Sequence, residues 1–290
     1  MFEDFLFRAH YAGELVTESK EKSNIQIYNE TLDKIEEKTN KLLALSDKAV
    51  KSKIKLENEI DSLNFLLSNI EPVKNDVKLS ETCVTRLSKI FTEFDTLLTR
   101  DIRNKYIEKG LKMEEDAITL YSLFCGKMYT KNTERKSNGY FSGEIDFKDD
   151  NEDMTIDTKV AYDVFSFDNT LQKGISKIYY AQGQVYMWLW GKSRHRICYA
   201  LLNTPKGIVE AEKRKLLFDF TGTEKDLNEA YNEIERLHNY DNLPLERKLK
   251  FFDIERNEEF IKLLIEMTPH WRAKLEEIRK NAYSVYENRK

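Results

Sequence analysis

Glycine and proline are scarce in this 290-residue chain, at 10 and 4 residues. So few turn formers and helix breakers exclude an all-β protein and predict that most of the chain is helical. The three cysteines, Cys83, Cys125 and Cys198, are far apart, odd in number and without a CxxC pair. A disulfide scaffold and a zinc site are thereby excluded, and buried thiols in a reducing, cytoplasmic compartment are expected. No uncharged run approaches membrane-spanning length, and Glu3, Asp4 and Arg8 interrupt the N-terminal apolar residues, so neither a membrane anchor nor a signal peptide is expected. Charge is also nearly balanced, 47 Lys and Arg against 51 Asp and Glu, a net of −4. Any nucleic-acid partner must therefore be argued from local charge.

What is present is first a long amphipathic stretch. From Ile25 to Ile70 apolar residues recur in steps of three and four, interrupted at Thr39, Ser46 and Lys53. That 3.5-residue period predicts a coiled-coil helix. Pro72, within a turn over Glu71 to Asp76, ends it before a second amphipathic run from Val84 to Ile102, so that residues 1–104 read as a helical hairpin. The hairpin either braces the next domain or serves dimerisation or partner docking. Residues 105–223 read as a mixed α/β domain, with strands at Phe141 to Phe147, Met154 to Val160, Arg196 to Leu202 and Leu216 to Phe220 and a helix from Asn169 to Trp190. Residues 224–290 read as a helical C-terminal extension.

Three segments carry chemistry. In GEIDF and IDTK, Gly143 to Lys159, strand periodicity puts Asp157 and Lys159 on one face and Thr158 on the other, and Asp146 on the preceding strand lies beside them. Two neighbouring carboxylates repel each other unless a cation intervenes, and an oxygen-ligated Mg²⁺ resolves the conflict. The ammonium of Lys159 then orients or helps deprotonate an attacking water and balances phosphoryl charge, which is phosphodiester chemistry. A solvated acidic hairpin is the competing reading, and Asp149, Asp150, Glu152 and Asp153 are assigned to it. In GLKMEEDAITLY, Glu114 shares a helical face with Ala117, Ile118 and Tyr121, as a site carboxylate or as a charge at the helix N-terminus. In KIYYAQGQVYMWLWG, Gln182 lies on an apolar face, as a site residue or as a glutamine satisfied by backbone, and Gln184 is expected in solvent. The histidines, His195 included, show no ligand spacing, and Trp188 and Trp190 read as core.

Together these segments resemble the phage lambda exonuclease type, or YqaJ-like viral recombinases, of the PD-(D/E)XK nuclease superfamily. The resemblance runs from Tyr106 to Pro205 through GLKMEEDA, Asp146, DTK and AQGQVYMW in the family's order. It implies a restriction-endonuclease-like mixed sheet flanked by helices, and Glu114, Asp146, Asp157 and the carbonyl of Thr158 as ligands of Mg²⁺, with Mn²⁺ substituting. It makes Lys159 the catalytic lysine and Gln182 a supporting residue that holds Lys159 or a phosphate oxygen; Glu144, two residues before Asp146 on the same strand face, is an auxiliary candidate that the family pattern does not require. Ile145 stands where the superfamily's proline would be, and residue 157 is Asp rather than Glu. The implied function is a Mg²⁺-dependent DNA exonuclease acting on duplex ends in phage-type recombination or repair, with DNA, an annealing or recombination protein and further copies of the chain as partners. Phosphate-contact candidates are Lys127, Lys131, Arg135, Lys136, Lys173, Lys192, Arg194 and Arg196. The alternatives are a RecB-like single-strand or structure-specific nuclease, and a coiled-coil DNA- or partner-binding module without catalysis.

Overall fold

The computed structural model describes residues 1–46, 49–70, 77–100 and 104–287. In chain order the elements are β1 (Phe7–Arg8), a 3-10 turn, α1 (Ala12–Leu15), α2 (Asn24–Ala44), α3 (Val50–Ser68), α4 (Glu81–Thr96), α5 (Lys105–Lys112), α6 (Glu114–Cys125), β2 (Lys136–Ser137), β3 (Phe141–Gly143), β4 (Phe147–Asp149), β5 (Met154–Val160), α7 (Val164–Lys173), α8 (Lys177–Trp190), β6 (Arg194–Ala200), α9 (Lys206–Asp219), α10 (Glu224–Leu237), β7 (Leu249–Glu255) and α11 (Glu258–Glu287). They form two compact units, one of Thr17–Thr85 and one of Met1–Val16 with Arg86–Lys290.

The smaller unit differs from the single long helix read between Ile25 and Ile70. Helix α2 starts at a capping box, Ser23 with Gln26, and stops at Ala44, and α3 packs against it with Lys38 paired to Glu59. The break falls beside Ser46, where the apolar seam is interrupted. Thr31 is the only buried residue of α2 and α3 has none, so the seam is thin. The turn read at Glu71 to Asp76, and Ile102 of the second run, lie outside the described residues; the run is helical from Val84 to Phe94 within α4, which ends at Thr96, so Leu98 lies beyond the helix.

The larger unit is built on a mixed four-stranded sheet in the order β4-β5-β6-β7. Strands β4 and β5 are antiparallel, β5 and β6 parallel, and β6 and β7 antiparallel. Ala117, Ile118 and Tyr121 of α6 bury one face with Phe147, Met154, Ile156, Cys198 and Leu249. Met187 of α8 covers the other with Ile197 and Ile254. Since side chains alternate along a strand, Ile156 faces α6, and Asp157 and Lys159 face the α8 side. Cys83 and Cys198 are buried, Cys125 is half-buried, and none of the three is in a disulfide.

Several elements begin or end elsewhere than the sequence predicts. Phe141 to Phe147 is not one strand: β3 joins a small second sheet, β1-β3-β2, while β4 joins the main one. Continuing the β4–β5 register would place Ile145 opposite Thr158, but the Thr158 N–H donates instead to the Asp146 carboxylate at 2.5 Å, so a side chain replaces the ladder bond. The helix read from Asn169 to Trp190 breaks at Gly174, whose φ of 63° suits glycine, and Ser176 caps α8. Leu216 to Phe220 closes the amphipathic α9 rather than forming a strand, apart from Phe220, which follows the helix. Residues 1–16 belong with the larger unit, and residues 224–290 contribute β7, so neither end is the separate helical segment expected.

Helix α8 is approached at very short range. A Cβ on Gly13 of α1 would lie 2.5 Å from the Ile178 Cα, and one on Gly183 would lie 2.5 Å from the His195 ring on β6. Only hydrogen fits at either place. Gly13→Ala is expected to force backbone apart, at a cost of about 1–3 kcal/mol. Thermal denaturation should show a melting temperature lowered by roughly 2–12 °C; an unchanged melting temperature would show that α1 can move away freely.

Candidate active site

Strand β5 delivers Asp157 and Lys159 to one side of the sheet, and Lys159 Nζ is ion-paired with Asp157 Oδ2. Asp146, immediately before β4, reaches the same place and accepts from the Thr158 N–H at 2.5 Å and the Thr158 hydroxyl at 2.7 Å. Burial, and next the charge of Asp157, push the Asp146 carboxyl up to about 7, against the opposing effects of Lys159 and Thr158. Burial alone would favour a neutral Lys159, but the charges of Asp157 and Asp146 and the bond to Asp157 outweigh it and hold the ammonium well above its ordinary range. Lys159 also lies 5.3 Å from the centre of the Tyr179 ring on α8.

Helix α8 supports this group from behind. Gln182 Nε2 donates to the Tyr186 hydroxyl at 2.8 Å. The Tyr186 phenol is pushed up by burial and next by the charge of Asp157, which marks Tyr186 as a neighbour of the acids. Gln182 is therefore held by Tyr186 rather than by Lys159. Gln184 is not in solvent as expected: it is fully buried, donates to the Glu255 carbonyl at 2.7 Å and accepts from Asn257 N at 2.8 Å. It ties α8 to the end of β7, which a face count on α8 alone does not reveal. His195 is buried against Thr155, 2.9 Å from its hydroxyl, and burial lowers its pKa to about 4, so it sits neutral beneath the site.

Glu114 opens α6 and lines the same cleft as Asp146, Thr158 and Lys159, but its Oε2 is paired with Lys131 at 2.7 Å. Among the described residues no three His, Cys, Asp or Glu side chains are gathered closely enough to hold a metal. What the fold assembles is Asp146, Asp157, Thr158 and Lys159, with Glu114 on the cleft wall. The donors are all hard oxygens, and Asp146 and Asp157 oppose each other's charge in a buried place, a set that suits an oxygen-ligated divalent cation. Glu144 is turned to Arg135 at 3.1 Å and stays exposed.

The cleft above this group has a volume of about 840 Å³, bounded by α5, the end of β5, α7, Tyr179 and Tyr199. Most of the cations picked out for phosphate contact already have carboxylate partners. Lys127 pairs with Asp149, Lys136 with Glu134, Lys192 with Asp150, Arg194 with Glu152 and Arg196 with Asp253. Asp149 departs from the solvated hairpin assigned to it: it is buried, accepts from the Tyr129 hydroxyl at 2.5 Å and caps the turn through Asn151 N and Glu152 N. The sequence reading missed the tyrosines of α8 and the aromatic wall of the cleft, which have no spacing signature that separates them from core.

Neither a protein-family model nor a curated protein matches the sequence significantly. Solved structures do match. A phage-related exonuclease from Haemophilus somnus 129PT is 19% identical, with a TM-score of 0.62 over 96% of this chain and 97% of its own. The alkaline exonuclease LHK-Exo from Laribacter hongkongensis is 16% identical, with a TM-score of 0.50 over 73% of this chain and 89% of its own. The chain thus has the α/β fold of these exonucleases, as the resemblance implied. Among the described residues no helix is long and apolar enough to cross a membrane.

Proposed function

We propose that this protein is a divalent-cation-dependent deoxyribonuclease that shortens linear duplex DNA from its ends. The observation that carries the reading is that Asp146 and Lys159 line an open cleft, with Asp157 buried against Lys159, on a fold shared with exonucleases. Asp146 and Asp157, with the carbonyl of Thr158, would hold the cation, and Glu114, now paired with Lys131, would be a further ligand. Mg²⁺ is the expected ion and Mn²⁺ its substitute, since all the donors are oxygens. When bound there, such an ion polarises the scissile phosphate and favours ionisation of water.

The chain's own groups supply the rest. Lys159 is held charged beside Asp157 and so acts as a donor, orienting the attacking water and balancing negative charge on the phosphate rather than removing a proton. Gln182 fixes the Tyr186 phenol, and Tyr186 and His195 close the underside of the acids against water. Attack of water on phosphorus breaks one P–O bond and leaves a phosphomonoester and a hydroxyl. Nothing in this group reads a base, so restraint falls on access, and a strand end enters where a closed duplex does not. Processing of ends for recombination or repair, with an annealing protein or further copies as partners, fits such an activity.

End-labelled linear duplex and covalently closed relaxed plasmid, incubated in parallel with Mg²⁺, test the proposal. Loss of label from the linear duplex with the circle intact is expected. Cutting of the circle would make the protein an endonuclease, degradation confined to single strands would place it with RecB-like enzymes, and no cleavage in Mg²⁺ or Mn²⁺ would leave a binding module.

A further inference from the structure

The wall of the cleft carries aromatic rings that neither the acid–lysine group nor the core requires. Tyr106 on α5 is 58% exposed and Phe165 at the start of α7 is 70% exposed, and both line the cleft that contains Lys159. Leaving two large rings in water beside a site is unfavourable unless something covers them.

The base beneath Tyr106 is rigid. Its ring stands edge-on to Tyr162, centroids 4.7 Å apart. Tyr162 is buried and held at both ends: its carbonyl accepts from Lys109 Nζ at 2.8 Å, and its hydroxyl donates to Glu212. Lys109 is fully buried beneath the Tyr162 and Tyr240 rings, and Glu212 is braced further by Lys105 at 2.7 Å and by His238 at 3.1 Å. The Lys105 ammonium lies 4.6 Å from the Tyr162 centroid and 5.5 Å from that of Tyr106. A fixed aromatic surface with a cation beside it, continuous with a group suited to phosphodiesters, matches the chemistry of a polynucleotide strand: a flat apolar base joined to an anionic backbone.

We propose that Tyr106 and Phe165 form a nucleobase-stacking site on the rim of the cleft, which takes unpaired bases of the strand whose phosphate lies at Lys159; this rests on the nuclease reading above. Stacking accepts any base, so the site grips the strand without reading sequence. Lys105 and the Glu212 network act as positioning residues that keep the Tyr162 support still.

Labelled duplexes carrying one abasic residue at successive positions from each end separate this role from a structural one. Wild-type protein in Mg²⁺ should cut more slowly, by about 5- to 150-fold, when the abasic residue occupies the stacking position, as expected for one lost stack. The Y106A/F165A variant should cut intact duplex more slowly by a similar factor, show no further loss on abasic DNA and melt at the wild-type temperature, since both rings are exposed. Y106F, which keeps both rings, should retain the abasic sensitivity. If wild type cuts DNA but the variant cuts intact duplex equally fast, or keeps the abasic penalty, the stacking site is overturned and the nuclease reading stands. If wild type cuts no DNA at all, both are overturned.

Discussion

Asp157→Asn and Lys159→Gln are each expected to reduce DNA cleavage by about a thousandfold or more, within the range seen when a transition-state contact or a catalytic group is removed. One substitution removes a buried carboxylate charge; the other removes the charged donor paired with it. Their structural consequences differ. In Lys159→Gln the buried Asp157 loses its ion-pair partner and faces Asp146 alone, so some stability is lost. Asp157→Asn relieves that repulsion but leaves the Lys159 ammonium to Asp146 alone, so its melting temperature should change less than that of Lys159→Gln. Cleavage rates on linear duplex, with circular dichroism melts of the same preparations, check this. A folded Asp157→Asn protein that cuts at the wild-type rate would remove the acid pair from the reaction.

Removing residues 1–16 is expected to abolish folding of the larger unit. Phe2, Phe7, Tyr11 and Leu15 are all buried in it. Phe7 pairs with Phe141 through the small sheet and meets the fully buried Trp271 with ring centres 5.5 Å apart. Each such side chain contributes about 1.5–3 kcal/mol, so the four together contribute about 6–12 kcal/mol, comparable with the whole stability of a domain. Arg272 also binds the Phe5 carbonyl at 2.9 Å, so α11 loses a hydrogen-bonded partner as well. Expression of residues 17–290 followed by size-exclusion and circular dichroism measures this; a soluble, cooperatively melting fragment would show the segment to be dispensable.

The N-terminal segment is a place where the sequence is silent. β1 has two residues, too few for a period of two to declare itself, and its partner β3 lies more than a hundred residues away. β7 is silent for another reason: its FFDIE run sits in a charged stretch and becomes a strand because β6 offers it an edge. Leu216 to Phe220 has β-type composition but ends a helix, so neighbouring structure overrode local preference. By contrast Asp157 and Lys159 were legible: two residues apart on a strand they must share a face, and the structure places them so. Asp146 was legible in position but not in its bond to Thr158, which is a tertiary choice. The pairing of Glu114 with Lys131 joins residues seventeen apart through a loop, and no periodicity encodes it.

On the proposed reading the Asp146–Asp157 pair holds the cation on which hydrolysis depends. Mn²⁺ binding followed by electron paramagnetic resonance, on wild type and on Asp157→Asn at matched concentration, tests it without relying on activity. Wild type is expected to take up Mn²⁺ and to lose cleavage when EDTA removes it, and Asp157→Asn to bind it at least tenfold more weakly. Equal Mn²⁺ binding by the two proteins, or DNA cleavage by wild type that persists in excess EDTA, would contradict the account.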